Sequence, residues 1–216
     1  MKTQKLILRH KTLIFFVLII LAVAGCKNGL QNDEENNNYQ KVKHPDWSKN
    51  ASIYEVNVRQ YTPEGTFNAF AKHLPRLKEL GVDILWLMPI HPIGEKNRKG
   101  SLGSYYSVKD YYGINPEFGT EEDFKNLVNQ IHELGMYVII DWVANHSAWD
   151  NQLIFDHPEW YKKNEEGEII APVDDWTDVA GFDYNVPEMR DYMTDALIYW
   201  VNDFNIDGYR CDVAGM

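Results

Sequence analysis

From residue 46 onward, short β-rich apolar runs alternate with stretches whose apolar residues recur at helical spacing, and this rhythm limits the possible folds more than any other feature. A strand, a crossover helix and a second strand return the chain in one direction, which predicts an α/β fold with a parallel sheet. The first strand is expected over Ile53 to Val58, followed by a helical region containing Phe67, Phe70, Leu74, Leu77 and Leu80, kinked at Pro75 and closed by Gly81. The second strand is Ile84 to Leu87, broken by Pro89 and Pro92. A Gly-, Ser- and Tyr-rich loop then runs to about Gly119, and loops of that length often carry function. Thr120 caps the next helix ahead of an acidic first turn, and Phe124, Leu127, Val128, Ile131 and Leu134 form its apolar stripe. The third strand is expected to end at Asp141. Residues 147–187 are too long and polar for a simple connection and read as a small inserted subdomain. Pro187 opens a helix with Met189, Met193, Ala196, Leu197, Trp200, Val201 and Phe204 inward, and Asp207-Gly208 leads to the fourth strand.

Ahead of this region lie two segments of different character. Lys2, Lys5, Arg9 and Lys11 precede an apolar run from Leu13 to Ala24, shorter than the ~20 residues of a comfortable membrane span, so residues 1–25 read as a secretory signal. Val23-Ala24-Gly25-Cys26 resembles the lipobox of bacterial lipoproteins, which implies a lipidated Cys26 and an extracytoplasmic protein anchored to a bacterial membrane. Residues 26–45, rich in Asn, Asp, Glu, Gln and Lys, read as a flexible linker. With Cys26 lipidated, Cys211 is the remaining thiol and is expected to be a packing residue. Loss of residues 1–25 removes four positive charges and no negative one, taking the formal charge from −11 to −15. So acidic a chain argues against a nucleic-acid partner and suits a neutral substrate.

Two strand ends carry the candidate chemistry. Arg210 and Asp212 stand two apart and therefore share a face, where the guanidinium can hold the carboxylate oriented and ionised, as a nucleophile requires. Taken alone, the pair reads first as a structural ion pair. Upstream, Val138-Ile139-Ile140-Asp141 delivers a carboxylate, and Asn145 and His146 follow it, so two strands end in one polar rim.

Asp141-Trp142-Val143-Ala144-Asn145-His146 and Gly208-Tyr209-Arg210-Cys211-Asp212 resemble, in order and spacing, the first and second signature regions of the α-amylase family of glycoside hydrolases. Tyr105-Tyr106-Ser107-Val108-Lys109-Asp110-Tyr111 and Gly181-Phe182-Asp183-Tyr184-Asn185 extend the resemblance. It implies a (β/α)8 barrel with a small insertion after the third strand, of which residues 46–216 would be the first half. It further implies retaining cleavage of α-glucosidic bonds in starch, maltodextrin or related α-glucans, through two carboxyl groups about 5 Å apart. In those terms Asp212 is the nucleophile, Arg210 orients it, His146 hydrogen-bonds the reacting sugar, Tyr106 stacks beneath that sugar and Asp141 supports the site from below. The family's general acid belongs to a later strand, so a chain of these 216 residues alone is expected to be inactive.

Asn145 and Asn185 match positions that give oxygen ligands to a structural Ca2+ in many relatives, although Gly215 and Met216 stand where many carry Lys and His. Asn145 as a structural hydrogen-bonding residue is the alternative. Glu165, Glu166 and Glu168 read as a solvated turn. A transglycosylase or isomerase of the same family, or a noncatalytic glycan-binding surface protein, are the rival functions; no organic cofactor is expected.

Overall fold

A computed structural model describes residues 43–215. The signal, the lipidation site at Cys26 and most of the linker lie outside the described residues. Among the described residues, no helix is long and apolar enough to cross a membrane.

The centre of the region from Trp47 onward is a four-stranded sheet. It is built from β1 (Ile53–Val56), β2 (Ile84–Leu87), β3 (Tyr137–Val143) and the last strand, Gly208–Asp212, all parallel and in that spatial order. Between β3 and the last strand lie β4 (His146–Ala148) and β5 (Val179–Gly181), which pair antiparallel within the inserted segment, so the last strand is β6. The helices are α1 (Val58–Tyr61), α2 (Phe67–Ala71), α3 (Leu74–Glu79), α4 (Glu121–Glu133), α5 (Leu153–Asp156) and α6 (Pro187–Phe204). Three consecutive β/α units and a fourth parallel strand of this kind are the expected first half of a (β/α)8 barrel.

Strand alternation separates the two faces of the sheet. Leu85, Leu87, Val138, Ile140 and Trp142 are buried in one core with Phe124, Leu127 and Ile131 of α4 and Met193, Trp200 and Phe204 of α6. The opposite face carries Trp86, Asp141, Arg210 and Asp212. The inserted segment adds Leu153, Trp160, Tyr161, Ala180 and Phe182 to that same core. Helix α4 starts at a reciprocal cap, in which Thr120 accepts from the Asp123 backbone and Asp123 accepts from the Thr120 backbone.

Several boundaries differ from the sequence reading. β1 stops at Val56, because Val58 already opens the single turn α1. Pro75 starts a helix instead of kinking one: it occupies the first turn of α3, where its missing N–H has no intrahelical partner to lose, after a break at Lys72-His73. Leu80 (63% exposed) follows the last turn of α3, and Val201 (42%) sits on the outer side of α6. β3 continues to Val143, which places Asp141 inside the strand. Cys211 is exposed, since β6 is the edge strand of the described sheet.

His91 is a buried polar residue with a consequence for stability. It is fully buried against the rings of Trp142 and Trp200, with centroids 5.5 and 5.2 Å away. Nδ1 meets the Gly113 carbonyl oxygen at 3.1 Å, and Nε2 has no partner. Burial pushes its pKa down from 6.5 to about 4. As pH falls from 6.5 the unfolded chain takes up a proton here that the native state refuses, so stability present above 6.5 is lost toward pH 4, by up to about 3 kcal/mol. Urea midpoints followed across this range should decline less steeply for His91→Gln than for the parent. Superimposable slopes would show that His91 does not control acid stability.

Candidate active site

The register of β3 against β6 builds the site. Asp141 pairs with Arg210 and Val143 with Asp212, so both carboxylates and the guanidinium project from one face at the carboxyl ends of parallel strands. Arg210 Nη1 donates to Asp212 Oδ1 at 2.7 Å and to both oxygens of Asp141, at 2.9 and 3.0 Å. The Tyr106 hydroxyl donates to Asp141 Oδ2 at 3.1 Å, and the guanidinium lies 4.8 Å from the centre of the Trp86 ring. Immediately after Asp212 the backbone turns sharply: Val213 has φ 43°, a left-handed conformation that a β-branched residue rarely adopts.

Exposure separates the two carboxylates by role. The Asp141 side chain is 0% exposed and that of Asp212 18%, so only Asp212 can meet a ligand, while Asp141 can act through Arg210. Burial pushes the Asp141 carboxyl above its ordinary range, although the hydrogen bonds of Arg210 and Tyr106 pull it down. For Arg210, burial opposes the charged form, but the hydrogen bonds and charges of Asp141 and Asp212 outweigh it and the guanidinium is held protonated more firmly than usual. Burial, followed by the charge of Asp141, raises the Tyr106 hydroxyl, which stays a donor. Burial lowers the His146 pKa, against the opposing charge of Asp212. Asn145 Nδ2 lies 3.2 Å from His146 Nδ1, the arrangement of an amide donor facing an imidazole whose proton sits on Nε2.

Asp212, His146 and Tyr106 line one pocket of about 400 Å³, the scale of a small-molecule site. Lys99, Ser104 and Asp178 also line it and carry no ligand-binding signal in the sequence, whereas Trp176, like Trp86, Trp142, Trp149 and Trp160, reads in the sequence as either a sugar platform or a core aromatic and stands in the pocket wall. Lys99 and Ser104 come from the long loop after β2, Trp176 and Asp178 from the inserted segment. The available signal was Trp176 itself, an aromatic set among Asp174, Asp175, Thr177 and Asp178 with no apolar periodicity to draw it into a core.

The other candidates lie apart from this pocket. Asn185 is exposed before α6, and its amide nitrogen donates to Asp183 Oδ1 at 2.8 Å. Among the described residues no group of three or more His, Cys, Asp or Glu is placed to hold a metal, and two amide oxygens fall short of the six to eight oxygens that Ca2+ takes. Glu165, Glu166 and Glu168 are exposed in the turn closed by the Gly167 N–H on the Asn164 carbonyl.

Residues 32–169 match the family described as alpha amylase, catalytic domain, a range that includes Tyr106, Asp141 and His146 and stops before Arg210. The chain is 34% identical over 171 residues to a 1,4-alpha-glucan branching enzyme of Kitasatospora aureofaciens, covering 76% of this chain and 21% of that protein. It is 30% identical over 181 residues to the alpha-amylase MalA of Haloarcula japonica, covering 79% and 26%. Among solved structures, an alpha-amylase from Lactobacillus plantarum superposes with a TM-score of 0.74 at 52% identity, covering 76% of this chain and 38% of that one. A noncanonic maltogenic alpha-amylase from Thermotoga neapolitana gives 0.73 at 47%, covering 77% and 40%. The chain thus spans well under half the length of each of these proteins.

Proposed function

This chain belongs to the alpha-amylase family, and from that premise we propose that it forms the first half of a (β/α)8 catalytic domain that cleaves α-glucosidic bonds in α-glucans with retention of configuration. The carrying observation is the Arg210 Nη1 atom shared between Asp141 and Asp212, at a pocket that His146 and Tyr106 complete. Asp212 attacks the anomeric carbon, a glycosyl ester forms as the glycosidic bond breaks, and the departing oxygen takes a proton from a carboxylic acid on a later strand. Water then attacks the ester, giving a proton to that same later-strand group, now a carboxylate, and Asp212 leaves as the carboxylate. Arg210 keeps the attacking oxygen in place. His146 Nε2 and the Tyr106 ring suit a sugar hydroxyl and the apolar face of a pyranose respectively. Proton NMR of the first product released from a maltooligosaccharide by the full-length protein should show the α-anomer. Initial release of the β-anomer, or no cleavage, would refute the proposal.

Transfer to a second glucan is the alternative outcome of the same intermediate, and it is favoured by the branching enzyme among the relatives. The acceptor, water or sugar, separates the two and is read from the product lengths.

Two further proposals concern the whole protein. Lipid attachment at Cys26, supported by the basic start and the Val23–Cys26 tetrapeptide, places the enzyme outside the cytoplasm on a membrane. Mass spectrometry should find a mature N-terminus at a lipid-modified Cys26, and an unmodified or uncleaved chain would remove the anchor. A structural Ca2+ drawing on Asn145 and Asn185 would take its remaining oxygens from water or other segments; unchanged melting after chelation would dismiss it.

A further inference from the structure

Trp142, Trp160 and Trp200 belong to the core, whereas Trp176 stands half-buried in the wall of the pocket that holds Asp212. Its ring meets that of His146 edge-on, with centroids 5.4 Å apart and 67° between the planes. Two parts of the chain, the long loop after β2 and the residue that follows β4, hold the segment that carries it. Lys99 Nζ donates to the Asp175 carbonyl, Ser107 Oγ to that of Asp178 at 3.0 Å and Trp149 Nε1 to that of Thr177 at 3.0 Å. Lys99 Nζ also faces Asp178 Oδ1 at 3.5 Å, so an ammonium and a carboxylate from two different loops meet beside the indole. Backbone turns close on both sides, from Trp176 N–H to the Val173 carbonyl and from Val179 N–H to the Trp176 carbonyl.

A segment fixed in this way loses little further freedom when a ligand arrives. An aromatic ring bordered by a donor and an acceptor also complements a pyranose, which offers an apolar C–H face and a rim of hydroxyls. A purely structural use of Trp176 explains its position less well, since the segment is already pinned through backbone carbonyls and the indole adds nothing to the apolar core.

We propose that Trp176, with the Lys99–Asp178 pair beside it, is the platform for a second glucosyl unit of the α-glucan, adjoining the unit attacked by Asp212. This rests on reading the pocket as an α-glucan site. Trp176 carries the ring contact, and Lys99 and Asp178 direct the hydroxyls, so the platform favours oligosaccharides over single sugars.

Calorimetry on the full-length protein carrying Asp212→Asn, which leaves the sugars intact, tests this with two ligands: maltotriose and methyl α-glucoside. Adding Trp176→Ala should weaken maltotriose about three- to tenfold and change methyl α-glucoside less than about twofold. Trp176→Tyr, which keeps a ring, should recover most of the loss, and Lys99→Met should weaken maltotriose alone. Equal losses for both ligands, or no loss for maltotriose in any variant, would overturn the platform. If the Asp212→Asn parent binds neither sugar, the α-glucan reading itself fails, and the platform with it.

Discussion

Asp212→Asn in the full-length protein should lower turnover of a maltooligosaccharide by on the order of 10⁴-fold while changing its affinity less than about threefold. The amide is nearly isosteric and keeps an oxygen to accept the 2.7 Å hydrogen bond from Arg210 Nη1, so the pocket should retain its shape. It cannot form the glycosyl ester through which retaining hydrolysis passes. Single-turnover kinetics and calorimetry on the same preparation separate the two quantities. Near-normal turnover would remove Asp212 from the chemistry, and a parallel loss of binding would make it a ligand for the substrate instead of a nucleophile.

Arg210→Ala should cost both activity and stability, and the stability loss should depend on pH. Removing the guanidinium takes away the hydrogen bond on Asp212 and both Arg210 hydrogen bonds on Asp141, leaving that fully buried carboxyl with the Tyr106 hydroxyl. Turnover should fall about 10²- to 10³-fold as the attacking oxygen loses its orientation. Burial already raises the Asp141 carboxyl above 3.8, and loss of Arg210 raises it further. A carboxyl raised on folding favours the native state below its unfolded pKa, and that contribution is lost as pH rises through the folded value. The deficit of the variant should therefore be small near pH 4 and reach about 3 kcal/mol at pH 7. That is the lower end for a broken buried pair, because the guanidinium is 36% exposed and water can partly replace it. Urea unfolding at the two pH values measures the difference; an equal deficit at both would mean that Asp141 carries no uncompensated charge.

What could be read in the sequence follows from how locally each feature is determined. β3 was legible because Val138, Ile140 and Trp142 alternate toward one core, and the start of α4 because Thr120 and Asp123 satisfy each other within a single turn. Pro75 was ambiguous, since the same residue can kink a helix or open one, and packing at Leu74 and Leu77 decides between them. Val201 shares the helical spacing of Trp200 and Phe204 but falls at the margin of the stripe, where neighbours rather than periodicity set exposure.

The site divides in the same way. Arg210 and Asp212 are two apart on one strand, so their common face needs only strand geometry. That Arg210 also holds Asp141 depends on the register of β6 against β3, a contact across 69 positions that no local spacing contains. Asp141 therefore read as a residue at a strand end, and its burial inside β3 emerges from the fold. Lys99 and Asp178 meet from two irregular segments whose courses have no periodic signal, so that wall of the pocket was the least legible part.

The most direct measurement is covalent trapping of the intermediate. The full-length protein is incubated with a fluorinated α-glucosyl donor, which forms the glycosyl ester readily and releases it slowly, then digested and mapped by mass spectrometry. The label should sit on Asp212, in the peptide that also contains Cys211. A label on Asp141 or any other carboxylate would contradict the assignment of the nucleophile.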